Sequence, residues 1–177
     1  MEPACDLQLV ACSLRLLTGL LYLAVPAKQN RSIPKKGEHV HMSDTEKRNE
    51  ELVKSFFEVL SAGDLETLRS MFTVEACWTA MSKNIPGAGA HPGRDHIIDE
   101  FLAPVRGMFV DGDPKVQIHK LTAKDNMVYA ETRAVGMFQS GIEYDNLYCW
   151  AFEITDGQVD QVREYMDSHY IMSVVPG

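Results

Sequence analysis

The chain has 177 residues, of which 45% are apolar, and carries a formal charge of -8 with a pI near 5.2. This length accommodates one domain and an appendage, with enough apolar residues for a sizeable core. The acidic balance provides no basic stripe that could neutralise phosphates, which argues against binding to nucleic acid. The cysteines form no CxxC pair and no His/Cys cluster has the spacing of a zinc site, so no metal site is predicted.

Residues 1–41 differ in character from the rest of the chain. A largely apolar stretch, interrupted by Arg15, covers residues 7–25 and is long enough to consider as a signal or membrane segment. The start of the chain, however, lacks the basic residues typical of an export signal. Three interpretations stay open: an extension from a mis-assigned start, an export or anchoring segment within residues 1–27, or a functional soluble extension. We predict a domain at residues 42–177 that does not itself contact a membrane. A cytoplasmic location is expected unless residues 1–27 are a genuine signal.

Three amphipathic segments predict helices in the first half of this domain. The run Ser43-Asp44-Thr45-Glu46 is a capping box that opens the first helix, and Ala62-Gly63 ends it. Asp64 is expected to cap the second helix and Asp95 the third. Pro104 should kink or shorten the third helix, because proline has no N–H group for the helical hydrogen bond.

The remaining segments predict strands. A short strand at residues 74–81 precedes a Gly/Pro-rich loop at residues 82–93. Alternating apolar residues then predict further strands around residues 116–118, 127–138, 142–154 and 159–167. We therefore predict an α+β fold, with three N-terminal helices packed on one face of a curved, mainly antiparallel sheet.

The turn at Asp156-Gly157 decides which side chains of the last hairpin share a face. A two-residue turn would place Cys149 opposite Glu164, whereas a three-residue turn with a G1 bulge would place Tyr148 there. Hydrophobicity favours the bulged register, because it collects the apolar side chains on one face. That face holds Tyr148, Trp150, Phe152, Val162 and Met166, with Asn146 and Glu164 among them.

Glu164 is thereby placed in an otherwise apolar and aromatic face. Desolvation raises the pKa of a carboxyl group, and a raised pKa suits a general acid or base near neutral pH. Tyr148 and Asn146 would orient Glu164 or the substrate. The structural alternative is that Glu164 is half-exposed at the rim of the sheet, or is satisfied by those two side chains. His91, in the predicted loop, is interpreted as solvated rather than as a proton shuttle.

Three segments, at residues 51–65, 92–95 and 150–167, together resemble the SnoaL-like branch of the NTF2-like superfamily. This superfamily includes ketosteroid isomerases, polyketide cyclases and limonene-epoxide hydrolases. The resemblance extends from Thr45 to about Tyr170. It implies an NTF2-like cone with a pocket between sheet and helices, and a homodimer formed through the sheet. Tyr165 and Tyr144 would contribute to that sheet face.

The resemblance also assigns positions to individual residues. In epoxide hydrolases of this type, an Arg-Asp-Tyr stretch in the last strand carries an acid that helps to activate water. The matching run here is Arg163-Glu164-Tyr165, so Glu164 takes the position of the acid. The other polar residues of that mechanism fall on Thr132, Ala134, Trp78 and Ala80. Most of those polar side chains are therefore absent here. The same mechanism would need Arg133 or a loop residue to take their place.

Two functions of different classes follow. The first is a cofactor-free isomerase, cyclase or hydrolase/hydratase that acts on a small apolar oxygenated molecule, with Glu164 as acid or base. The substrate would be bound by Trp78, Trp150, Met166, Thr132 and Ala134. The second is a non-catalytic ligand-binding or dimerisation module, which the missing partner residues favour. A large cavity would favour the enzyme, and a cavity filled by side chains would favour the module.

Overall fold

The computed structural model describes residues 42–175, so the predictions for residues 1–41 lie outside the described residues. The described part opens with helices α1 (Asp44–Ala62) and α2 (Leu65–Met71). The predicted capping box is confirmed: the Glu46 carboxylate accepts the Ser43 N–H at 2.7 Å, and the Ser43 hydroxyl accepts the Glu46 N–H at 3.2 Å. Gly63, with a φ of 75°, ends α1, and Asp64 caps α2 by accepting the N–H of Thr67.

The third predicted helix consists of three consecutive segments. They are α3 (Arg94–His96), a π-helical segment (Ile97–Leu102) and α4 (Ala103–Gly107). Gly93 occupies the N-cap position, so the prediction that Asp95 caps this helix is wrong; Asp95 instead accepts a hydrogen bond from Arg69 at 2.8 Å. Pro104 is the second residue of α4, which continues directly from the π-helical segment, and it has no N–H group to donate within this continuous helix. The expected interruption therefore takes the form of a wider turn just before the proline.

Six strands form one sheet in the order β2-β1-β6-β5-β4-β3. Neighbouring strands are antiparallel except for the parallel pair of β1 and β6. The strands are β1 (Phe72–Ala80), β2 (Gly89–Pro92), β3 (Lys115–Lys124), β4 (Met127–Met137), β5 (Glu143–Thr155) and β6 (Gln158–Met166). Helix α5 (Ser168–Val174) follows the sheet. The predicted loop at residues 82–93 is thus wrong in part, because it contains β2.

The register of the β5–β6 hairpin differs from the prediction. Thr155 pairs with Gln158 around a two-residue turn, in which Asp156 and Gly157 have positive φ values of 50° and 79°. The extra residue lies within β6, at Asp160, because Ile154 pairs with Val159 but Glu153 pairs with Gln161. Glu164 consequently lies opposite Trp150, and the predicted partner, Tyr148, is wrong. The two registers differ by two residues, so the predicted apolar face is still correct.

The core lies between the inner face of the sheet and the helices. The main cluster joins α1, the π-helical segment and the central strands, and includes Val53, Phe56, Phe57, Ile97, Trp150, Phe152 and Val162. A second buried cluster consists of Ile85, Phe109, Ala134, Phe138, Tyr144 and Ile171. Space is left open between and beside these clusters, and this space forms the candidate site. Among residues 42–175, no helix has the length and apolarity needed to cross a bilayer.

Candidate functional site

Two adjoining chambers lie between the sheet and the helices. The outer chamber, of about 330 Å³, is bordered by exposed residues such as Pro86, Glu100 and Pro104. The inner chamber, of about 100 Å³, is lined by buried residues that include Trp78 and Trp150. Both chambers are lined by Phe101, Val105, Phe109, Tyr144, Tyr148 and Glu164. These shared residues, called here the junction, place one carboxyl group and two phenols where the chambers meet.

Glu164 is the ionisable carboxyl of the junction. Strand β6 holds it with 8% of its surface exposed, and its Oε2 accepts a hydrogen bond from Trp78 Nε1 at 2.8 Å. No cation of the described chain forms an ion pair with this carboxylate. Burial raises the pKa of Glu164 to about 7, and the Trp78 hydrogen bond opposes this rise. Glu164 can therefore both hold and release a proton near neutral pH.

Tyr144 and Tyr148 are hydrogen-bond donors of the junction. Both come from β5, and their hydroxyl groups are hydrogen-bonded to each other. Burial raises the pKa of Tyr144 to about 12 and that of Tyr148 well above its usual value, so both phenols stay protonated. Their mutual hydrogen bond uses one of the two O–H groups. The other O–H has no acceptor among residues 42–175 and is available to an oxygen atom of a ligand.

Tyr144 is a site residue that the sequence reasoning missed. It was expected on the exposed face of the sheet, but only 5% of its surface is exposed and it lines both chambers. The alternation along β5 indicates this position, because side chains two positions apart share a face and Tyr144 is therefore on the same face as Asn146 and Tyr148. Asn146 Nδ2 donates to Tyr144 Oη at 3.5 Å. Asn146 and Tyr148 thus hydrogen-bond to Tyr144 rather than to Glu164, contrary to the predicted network.

The predicted substrate-binding residues are distributed over both chambers. Trp78, Trp150 and Ala134 line the inner chamber, whereas Met166 lines the outer one. Thr132 is buried behind them and accepts a hydrogen bond from Trp150 Nε1 at 2.8 Å. It therefore positions the indole ring of Trp150 instead of lining a chamber.

His91 borders the outer chamber. It lies on β2 opposite Trp78, and its ring stacks on Phe101 with the ring centroids 3.9 Å apart. Its Nε2 is 2.9 Å from the backbone oxygen of Gly87. The interpretation of His91 as a solvated loop side chain is therefore wrong, because the ring is half-buried and joins the strand to the residues at the mouth. Residues 42–175 contain no group of three or more His, Cys, Asp or Glu side chains arranged to hold a metal ion.

An α+β fold with helices on a curved, mostly antiparallel six-stranded sheet is thus established. The chain belongs to the SnoaL-like domain family, whose model matches residues 53–162. The predicted family and fold are confirmed. The comparison with curated proteins gives no significant match.

Several solved structures share this fold. Bal32a, from a soil-derived mobile gene cassette, is 25% identical, with 73% of this chain and 96% of that chain covered and a TM-score of 0.65. A candidate SnoaL-like polyketide cyclase from Jannaschia sp. CCS1 is 23% identical, with 77% and 99% covered and a TM-score of 0.65. An LEH-like epoxide hydrolase from M. tuberculosis is 18% identical, with 72% and 88% covered and a TM-score of 0.59.

Proposed function

We propose that this domain is a cofactor-free enzyme in which Glu164 acts as general acid or base on a small, apolar, oxygenated molecule. The observation that carries the proposal is the position of Glu164: a buried carboxyl, without a cation, at the junction of two chambers. Isomerisation, cyclisation and hydrolysis or hydration each need one group that takes up a proton and returns it. A carboxyl with a pKa near neutrality can do both within one turnover.

The tyrosine pair completes the proposed chemistry. When Glu164 removes a proton from a carbon atom or a water molecule, negative charge develops on an oxygen atom of the substrate. The free O–H of the Tyr144–Tyr148 pair would donate to that oxygen, and a donor placed in a water-poor site stabilises such charge strongly. Protonated Glu164 then returns the proton to another atom, so that the enzyme is unchanged at the end. Trp78, Trp150 and Met166 would hold the apolar parts of the substrate.

The test begins with the protonation of Glu164 in the full-length protein. We expect an NMR titration of the side-chain carboxyl carbons to show one midpoint near 7 that is missing in Glu164→Gln. A midpoint near the ordinary glutamate value of about 4.3 would contradict the proposal. Deuterium exchange from solvent into small enolisable ketones, together with opening of small epoxides, would then be screened with both proteins.

A matched control separates chemistry from general effects of charge. Glu131→Gln removes an exposed carboxylate from β4, in the same sheet, and leaves both chambers untouched. We expect this variant to keep the turnover that Glu164→Gln loses. Equal turnover in Glu164→Gln and the unmodified protein would remove Glu164 from its proposed role.

The alternative is a ligand-binding module without turnover. It is favoured by the residues found at the four positions where epoxide hydrolases of this type have the polar side chains of their mechanism. Trp78 donates its N–H to Glu164, Thr132 accepts from Trp150, and Ala134 and Ala80 have no polar side chain. This alternative predicts that ligands bind equally well to the unmodified protein and to Glu164→Gln, and that neither protein changes them.

We also propose a homodimer formed through the face of the sheet that points away from the helices. Tyr129, Leu147 and Tyr165 are exposed on this face, and large exposed apolar side chains on a sheet are typical of an interface. Arg133 and Asp145, joined by a hydrogen bond of 2.6 Å, balance each other's charge on the same face. Sedimentation at micromolar concentration should show a dimer, and Leu147→Asp should convert it to a monomer. A monomeric unmodified protein would contradict this proposal.

A further inference from the structure

Arg106 is a charged residue of the inner chamber that the proposed chemistry does not use. It belongs to α4 and lines the chamber together with Leu60. Its Nη1 donates to the backbone oxygen of Leu60 at 2.6 Å. The Leu60 oxygen, in the last turn of α1, also accepts the N–H of Gly63 at 3.2 Å, so Arg106 supplies a second donor to this carbonyl group. The structural role accounts for one of the five N–H groups of the guanidinium.

The other N–H groups of Arg106 have no acceptor in the described part of the chain. Burial lowers the pKa of Arg106, and the nearby charge of Asp113 opposes this effect without forming an ion pair. A guanidinium that is partly withdrawn from water and lacks an anionic partner gains free energy when an anion binds. A carboxylate matches it best, because two parallel N–H···O bonds can form at once.

The size and walls of the inner chamber restrict what can reach Arg106. The inner chamber, of about 100 Å³, has less than a third of the volume of the outer one, so it favours a small group such as a carboxylate on a short arm over a ring. Leu60, Pro114, Val116 and Ala134 supply apolar walls, which strengthen an ionic interaction by excluding water. The outer chamber is about three times larger and has room for an apolar body.

We propose that the inner chamber is a subsite for a carboxylate on a short arm, bound by Arg106. The ligand would then be an apolar molecule with a short acidic arm, which passes the junction so that the atoms between arm and body lie beside Glu164. The placement of the reacting atoms rests on the proposed function. Binding of the carboxylate by Arg106 does not, and the two can be tested separately.

The test compares two probes of the same shape, cyclohexanepropanoate and cyclohexanepropanamide, with the full-length protein. Trp78 and Trp150 are the two tryptophans of the chain and both line the inner chamber, so their fluorescence reports occupancy of this chamber. We expect the acid to bind about tenfold more tightly than the amide, as is typical of a charge-assisted hydrogen-bonded pair. Arg106→Gln should abolish this preference, although glutamine can still donate to Leu60, and Arg106→Lys should retain part of it.

Lys115 offers a matched control at the same helix end. Its Nζ donates to the backbone oxygen of Ser61 at 3.0 Å, but it lines neither chamber. Lys115→Gln should therefore keep the preference for the acid. An equal loss in Lys115→Gln and Arg106→Gln would show a general effect of charge and overturn the subsite.

Two further measurements keep the inference testable if Arg106→Gln does not fold. Ala134→Leu fills the chamber from β4 and should remove the preference while Arg106 is still present. In the unmodified protein, equal affinity for acid and amide, or binding of the acid without a change in tryptophan fluorescence, would overturn the inference. Glu164→Gln should lose proton transfer but keep the preference for the acid, so failure of the proposed function would be recognised separately.

Discussion

Trp78 Nε1 and Glu164 Oε2 are joined by a hydrogen bond of 2.8 Å that connects side chains 86 positions apart in the chain. The parallel pairing of β1 and β6 sets this contact, since Trp78 pairs with Val162 and Ala80 with Glu164, which places both side chains on one face. The bond fixes one oxygen of the carboxylate and leaves the other for a ligand at the junction. It also stabilises the ionised form, so it sets a limit on how far burial raises the pKa of Glu164.

Replacing Trp78 with Phe tests this balance. The variant keeps an aromatic ring in the wall but loses the N–H that stabilises the carboxylate. We expect the pKa of Glu164 to rise above its present value near 7 by about one pH unit, because a hydrogen bond to a charged group contributes about 1.5 kcal/mol. An NMR titration of the carboxyl carbon measures the change. An unchanged or lower pKa would mean that the indole does not stabilise the ionised carboxylate.

Glu164 should reduce the stability of the fold above neutral pH. Its pKa is about 7 in the folded protein against 4.5 for the free side chain, so the folded state binds more protons between these values. The contribution of Glu164 to the free energy of unfolding is therefore fully present below about pH 4.5, falls as the pH rises, and is lost above pH 7. The total change in this contribution is about 3 kcal/mol.

The corresponding measurement is urea unfolding of the unmodified protein and Glu164→Gln at pH 5 and pH 8. The free energy of unfolding of the variant minus that of the unmodified protein should be larger at pH 8 than at pH 5. A difference that does not change with pH would contradict this prediction.

Glu46 should have the opposite dependence on pH. Backbone N–H groups of Ser43 and Asp125 and the ammonium of Lys124 hold its pKa at about 2, below the usual 4.5. The stabilisation is thus complete above pH 4.5 and is lost as the pH falls towards 2. Glu46→Gln should be less stable than the unmodified protein at pH 7, and the difference should shrink in acid. A constant difference across an acid titration followed by circular dichroism would exclude this role.

The tyrosine pair should affect turnover more than binding. Tyr148→Phe removes one of the two hydroxyl groups, so the remaining Tyr144 loses its partner and the donor is no longer held in place. For a substrate found in the screen, we expect kcat to fall by about 100-fold with little change in KM, as is typical of a lost oxyanion donor. Tyr129→Phe, on the exposed face, is the control. A change in KM alone would assign the pair to binding.

The sequence predicted the caps of α1 and α2 and the inner face of the last hairpin because these depend on local rules. A capping box needs four residues, and the face of a strand depends only on parity, so a register error of two residues did not matter. Strand β2 was missed because Gly89-Ala90-His91-Pro92 has little strand propensity and forms by pairing with β1. Helix α5 did carry a local signal, since Asp167 caps it by accepting the Tyr170 N–H.

The candidate site was predictable only in part. The position of Glu164 followed from the face of β6, but its partner Trp78 is on a strand that reaches it through a parallel pairing. Such pairings join distant segments and leave no periodic pattern in the sequence. The chambers themselves are spaces between side chains of several elements. Arg106 borders one of them from the third helix, for which the sequence predicts only a cap and an interruption at Pro104.

The bulge at Asp160 has a consequence for how this site could be lost. Val159 and Val162 are both buried although they are three positions apart, and Asp160 is held by a hydrogen bond of 2.7 Å from the Thr73 hydroxyl. Val159 and Glu164 are five positions apart, so strict alternation at the same chain length, without the bulge, would place Glu164 on the opposite face of the sheet from Val159. A relative of the same length could thus retain the glutamate, the tyrosines and the tryptophan and yet, without the bulge, have no carboxyl in its pocket. In comparisons within this family, the presence or absence of this bulge is therefore as informative as the glutamate itself.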